Sequence, residues 1–232
     1  MKRSHCLKQL LALTMLLLCQ PLWAQIKSHP WYVAAGASIF QGNYDLIYND
    51  QIDDIPQNIR QTLQQYGYNG AIAFGYSKTF LNDYFAGAEV SAQYATYKAN
   101  FDSGSVGTAF SDQIKIQSYY DLVFVPGFFI TDTVAAYIKA GVSYAYIKDS
   151  LHTPTSSIPT YVTINNNSYL WGVALGIGLE KFITEQLALF SEFQYHDYGT
   201  VNFPAFPNFA STYSHSAHVY SEALMLGARY AF

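Results

Sequence analysis

The sequence predicts an all-β fold, an eight-stranded antiparallel up-and-down transmembrane β-barrel, and three observations predict it. Apolar and polar residues alternate with period two in eight segments, and every formal charge in the middle of a segment falls on the same face. Aromatic or aliphatic strand ends fall at Phe80, Ile130, Phe182 and Phe232, spaced 50, 52 and 50 residues apart. The connections between segments alternate between short and long, as in membrane barrels with tight turns on one side and long loops on the other. Composition agrees, because 17% aromatic residues beside only 12% charged ones suit a wall with aromatic belts and a charge-free outer face.

The first element is not part of the barrel. Lys2, Arg3 and Lys8 give a basic start, Leu10 to Leu18 an apolar core, and Pro21-Leu22-Trp23-Ala24 a cleavage region before Gln25. Residues 1–24 therefore read as a secretory signal and 25–232 as the barrel domain. Lys8 and Gln20 leave too few apolar residues for an anchor, which needs about 20. Leu18 before Cys19 argues against lipid attachment, so Cys6 and Cys19 leave with the signal and cysteine chemistry is excluded. Removal leaves nine bases against sixteen acids, a net charge of −7, which makes nucleic acid an unsuitable partner.

The eight segments are 31–42, 66–80, 84–98, 113–130, 134–148, 165–182, 187–199 and 215–232. Tight turns are expected at 81–83, 131–133 and 183–186, and long polar connections at 43–65, 99–112, 149–164 and 200–214. Eight strands close without leaving a sheet edge in lipid. At roughly 2.3 Å of height per tilted residue, a 25 Å band needs about 11 residues, so several segments overshoot and carry the wall beyond the headgroups. In the first connection Pro56 precedes Ile59 and Leu63 and follows Ile52 and Ile55, a helical spacing that predicts a short helix over 54–63 on the barrel mouth.

The outward parity reads Trp31, Val33, Ile39 in the first segment, then Tyr68, Ile72, Phe74, Tyr76, then Tyr84, Val90, Tyr94. It continues with Ile114, Ile116, Tyr120, Leu122, Phe124, with Ile138, Val142, Tyr144, with Tyr169, Trp171, Ile177, with Leu187, Phe193, and with Leu224, Leu226, Tyr230, Phe232. The opposite parity collects the candidate lumen network Glu89, Lys115, Asp121, Lys139, Glu180, Glu192 and Arg229. A Lys or Arg facing the middle of the bilayer costs roughly 2 to 4 kcal/mol, which explains the sorting. The acid Glu222 falls on the outward parity, ten residues from the C-terminus and so near the external rim.

The text of the turns and their flanks resembles the eight-stranded membrane domain of the outer membrane protein A superfamily, which includes opacity-type surface proteins. The matching residues are Trp31 to Gly36, Gly75-Tyr76, Gly87-Ala88-Glu89, Gly127 to Asp132, Tyr137-Ile138-Lys139, Gly178-Leu179-Glu180, Ile183-Thr184, Ser191 to Tyr195 and Leu226 to Phe232. The resemblance spans the mature barrel apart from its long loops. It implies that Glu89 and Glu180 take part in lumen salt bridges, with bases expected at the positions of Val125 and Phe190. Neither is basic, so Lys115, Lys139 and Arg229 are the substitute partners. It also implies that Tyr230 and Phe232 form the signal read by the barrel-insertion machinery.

The implied role is a small, non-enzymatic outer-membrane protein whose loops meet a host or envelope ligand, embedded in outer-membrane lipid and lipopolysaccharide, with no cofactor. The alternatives are a narrow channel for ions or small solutes, and a lipid A-modifying enzyme. The enzyme reading rests on His196-Asp197 near Ser191 and on Ser214, His215, Ser216 and His218. Parity separates inward His196 from outward Ser191, and His215 with His218 lack a third metal ligand. Intact-mass measurement of the protein purified from outer membranes is expected to give a chain beginning at Gln25; a mass that includes residues 1–24 would overturn the assignment of the signal.

Overall fold

The computed structural model describes residues 29–52, 55–80, 83–96, 99–103, 110–154, 161–203 and 214–232. The strands are β1 (Trp31–Ile52), β2 (Ile55–Phe80), β3 (Tyr84–Ala95), β4 (Ala99–Ser103), β5 (Phe110–Thr131), β6 (Val134–Pro154), β7 (Tyr161–Phe182), β8 (Leu187–Phe203) and β9 (Ser214–Ala231). They pair in the order β3-β2-β1-β9-β8-β7-β6-β5-β4, and a β3–β5 pairing joins the two ends. β3 and β4 lie one after the other along β5, so nine strands make eight staves. All pairings are antiparallel, and closure gives the staves' backbone groups partners within the wall.

The two faces separate as the alternation requires. Ile72, Val90, Leu122, Phe124, Ile138 and Ile177 are exposed on the outside, whereas Tyr32, Phe40, Tyr119, Val123 and Met225 are buried inside. An exposed apolar belt of this extent has no place on a water-soluble domain and matches a hydrocarbon band. The turns at 131–133 and 183–186 are tight, with the Thr131 and Thr184 hydroxyls accepting backbone N–H groups from Val134 and Leu187. The turn expected at 81–83 lies largely outside the described residues.

Three expectations are corrected. The helix over 54–63 is absent: from Ile55 onward these residues are strand, with Ile52↔Ile55 and Tyr48↔Ile59 opposite one another. A helix there would strip the end of β1 of its ladder partners, and continuing the hairpin keeps those backbone groups bonded. For the same reason much of the expected long connections 43–65 and 149–164 is paired strand. The third correction is a β-bulge in β5, where Ile116 pairs with Ile147 and Ser118 with Tyr146, leaving Gln117 as the extra residue. One inserted residue reverses facing, so above it Ile116 is fully buried in the lumen and Lys115 is turned to the outside, with its Nζ 5.9 Å from the centroid of the outward Tyr94 ring. Lys115 is therefore not a lumen residue.

The repeat of about 50 residues has a structural counterpart. Each of the four outer hairpins lays an inward aromatic ring from its first long strand over the glycine opposite it: Tyr32 on Gly75, Phe85 on Gly127, Tyr137 on Gly178 and Phe190 on Gly227. A Cβ added to Gly75 or Gly178 would come within 2.2 or 2.3 Å of the covering ring, so the ring occupies the space a side chain would take. Four such rings narrow the lower lumen. Leu122→Arg, on the outer face and within the band, is expected to destabilise the barrel in liposomes by about 2 to 4 kcal/mol in urea titrations, whereas the same change at a site outside the band costs far less.

Candidate functional site: the charged lumen

Alternation delivers polar side chains from every stave into a channel too narrow to leave them apart. At the foot, Arg229 of β9 places its Nε 2.6 Å from Glu180 Oε1 of β7, and its guanidinium lies over the rings of Tyr32 and Phe182 at 4.7 and 5.4 Å. Above it, the Lys139 ammonium of β6 sits between two carboxylates, 2.7 Å from Glu89 of β3 and 2.8 Å from Glu192 of β8. Tyr32 donates its hydroxyl to Glu89 at 2.9 Å, and Glu192 accepts from Tyr137 at 2.8 Å and from the Gln194 amide at 2.6 Å. Each carboxylate thus has a cation, a hydroxyl or an amide donor, as burial of charge demands.

Asp121 of β5 anchors the next level. It accepts from Ser91 at 3.0 Å and Gln93 at 2.8 Å, and lies 3.3 Å from His196 Nε2. The imidazole is packed edge-on against Tyr119 and parallel to Tyr198, whose hydroxyl meets Ser143 at 3.2 Å. Asn69 bridges Gln93 and the Tyr119 hydroxyl. Higher still the lumen turns apolar, with Phe40, Tyr44, Ile116, Tyr119, Ile147, Ala217 and Val219 buried in one cluster. Below this lid the interior retains small cavities, one of about 40 Å³ beside Glu89 and Arg229 and one of about 20 Å³ beside Asp121 and His196. That is room for isolated water molecules.

Of the candidate residues, Glu89, Lys139 and Glu192 form one cluster, Glu180 and Arg229 a second, and Asp121 stands in a third with His196. Lys115 joins none of them. Val125 and Phe190 occupy the positions where the resemblance places bases, and the charges arrive instead from two residues along neighbouring strands: Lys139 lies two below Gly141, in the row of Glu89, and Arg229 two below Gly227, in the row of Glu180. Sequence reasoning did not single out His196 as the partner of Asp121, nor Tyr32, Tyr137 and Gln194 as donors. Their signal was present, since all share the inward parity of the charges, but parity does not rank which inward residues meet.

Among the described residues, the parts of the alternative enzyme reading do not come together. His196 reaches Asp121 within the closed interior, while Ser91 bonds the carboxylate rather than the imidazole. Ser191 is on the outward parity of β8, and His218 pairs on the outside with Asp197 at 3.5 Å. The side chains of Ser214 and His215 lie outside the described residues. Among the described residues no group of three or more metal-ligating side chains comes together.

A family model described as outer membrane protein beta-barrel domain matches residues 10–232. The chain belongs to this family. A protein of Coxiella burnetii, described as uncharacterized, is 26% identical to this outer-membrane barrel over 223 residues, covering 88% of this chain and 86% of that one. The crystal structure of the outer membrane protein OprG from Pseudomonas aeruginosa superposes with a TM-score of 0.55 at 12% identity, over 90% of this chain and 100% of that one, which shows a shared fold. Neisserial surface protein A matches at 15% identity over 87% of this chain and 97% of its own, with a TM-score of 0.42. The protein is a small outer-membrane barrel with surface loops, in the envelope of a Gram-negative cell.

Lys139→Met is expected to cost about 3 to 5 kcal/mol in urea unfolding, because it strands two buried carboxylates. Adding Glu89→Gln and Glu192→Gln to it should restore most of that loss, and equal instability of the triple variant would show that the charges are not the cause.

Proposed function

We propose that this barrel is a non-enzymatic surface protein whose outer hairpins present an interaction surface to host or envelope ligands, and that the closed lumen serves to hold the staves together. Residues 1–24 are removed on export in this reading, and Tyr230 with Phe232 at the end of β9 are read by the insertion machinery.

The observation that carries the reading is the unbroken β1–β2 ladder from Trp31↔Tyr76 to Ile52↔Ile55, 22 residues of β1 paired in register. About 11 residues cross the hydrocarbon band, so roughly half of this hairpin stands outside the membrane. β6 and β7 pair in the same way up to Pro154↔Tyr161. Paired strands hold a surface rigidly at low entropy cost on binding, which favours recognition over conduction. The buried cluster of Phe40, Tyr44, Ile116 and Tyr119 across the upper lumen opposes a continuous water path, and the sealing of His196 opposes catalysis on lipid A.

Cell- or matrix-binding assays with each outer hairpin shortened in turn are expected to lose adhesion for at least one hairpin, while heat-modifiable gel migration reports intact barrels. Retained binding for all four would sink the surface role. Planar-bilayer recordings should show no discrete openings; well-resolved single-channel steps would replace this reading with transport.

A further inference from the structure

The bulge in β5 creates a feature that the lumen does not explain. Lys115 of β5 and Lys148 of β6 are direct cross-strand partners, and both are on the outer face. Like charges opposite one another in a strand pair repel. Among the described residues neither lysine lies in an ion pair with a carboxylate; each ammonium sits instead against a tyrosine, Lys115 against Tyr94 at 5.9 Å and Lys148 against Tyr146 at 5.5 Å. Two lysines thus stand opposite one another on the outer face, and among the described residues no carboxylate pairs with either.

Their height places them in a particular layer. Ala136 is opposite Phe128, whose exposed ring belongs to the lower aromatic edge, and Lys148 stands twelve residues further along β6. At roughly 2.3 Å per residue this is about 28 Å, just above a 25 Å hydrocarbon band, at the outer headgroups. Immediately below, the outer wall is a continuous aromatic surface: Tyr144 stacks on Tyr169 at 5.7 Å, Tyr146 on Tyr169 at 4.9 Å, and Tyr144 meets Trp171 at 4.8 Å. Tyr169 and Trp171 are 60% and 69% exposed. Aromatic faces pack against the C–H face of a pyranose, and paired ammonium groups hold a phosphate.

The other side of the rim carries the opposite charge. Asp45, Asp197 and Glu222 lie on the outer parity of β1, β8 and β9, with Asp45 bonded by Thr62 and Asp197 by His218. These staves are across the barrel from β5 and β6. An anionic headgroup is therefore directed to one sector of the rim.

We propose that the paired lysines Lys115 and Lys148, above the tyrosine and tryptophan wall of β6 and β7, form a docking site for the phosphorylated sugar headgroup of a glycolipid in the outer leaflet. The site needs only the barrel's place in the membrane and is independent of what the hairpins bind. The glycolipid's phosphate lies between the two ammonium groups, its sugar against the rings, and its acyl chains along the apolar wall of β5 to β7. The partner is fixed to one side of the barrel, which orients the protein among its lipid neighbours.

The test uses the signal-stripped protein refolded in detergent, with bisphosphorylated lipid A, monophosphorylated lipid A and phosphatidylglycerol as probes and native mass spectrometry as the readout of bound lipid. Bisphosphorylated lipid A is expected to bind tightest. K115Q and K148Q should each weaken it about fivefold and the double variant roughly 25-fold, as expected for surface cations on an anionic lipid. K78Q, at the exposed opposite rim, should change nothing. K148E should abolish the preference, and K148R should retain it; heat-modifiable migration reports that each variant is folded. Undiminished binding by the folded double variant overturns the site. Equal, lysine-dependent binding of phosphatidylglycerol overturns the glycolipid assignment, and loss of adhesion by the double variant with unchanged lipid binding does the same.

Discussion

Closure of eight strands sets the condition that everything else obeys. A sheet wrapped this tightly has no free edge, so its backbone is satisfied in lipid, but the same closure leaves an interior only wide enough for side chains. Every inward residue must pack or pair with what it meets across the lumen. The paired carboxylates, the tyrosine donors and the aromatic rings lying on glycines are solutions to that single problem at successive heights.

The interior is graded. Its foot is ringed by Tyr32, Phe85, Tyr137 and Phe190 over glycines and holds the Arg229–Glu180 pair, its middle carries the Lys139 and Asp121 clusters, and its top is apolar. The grading separates two jobs. Charge pairs across the middle tie staves β3, β6 and β8, and β7 and β9, that are not all neighbours in the sheet, and a ladder of backbone hydrogen bonds alone does not make such cross-links. The apolar top closes the lumen just where the staves leave the membrane and continue as hairpins. Above that level the wall is free to serve recognition without opening a path through it.

The outer face follows the solvent rather than the lumen. In the hydrocarbon band it is mainly Val, Leu, Ile, Phe and Ala; at the rim tyrosine and tryptophan appear, with lysines in one sector and aspartates across the barrel. A single inserted residue, Gln117, decides which side of that boundary Lys115 serves, and the same insertion moves Ile116 into the lumen's apolar lid. One backbone irregularity thus completes the seal inside and places a cation outside.

The chain's alternation determined by itself that there are eight staves, which face of each meets lipid except in β5 above its bulge, and that Glu89, Asp121, Lys139, Glu180, Glu192 and Arg229 point inward, because period two is a property of the local backbone and the cost of charge in hydrocarbon sorts residues by face. It could not determine partners. Lys139 binds both Glu89 and Glu192, and Asp121 meets His196, because closure and stagger bring strands of distant sequence to one height. Nor did local pattern reveal that 55–63 continues a hairpin or that β5 slips by one residue at Gln117, since Ile at helical spacing and an extra residue in a polar stretch look unremarkable until the neighbouring strand supplies the hydrogen bonds that select the register. Facing is local physics wherever the strand is regular; register, pairing and the bulge that resets facing in β5 belong to the closed sheet.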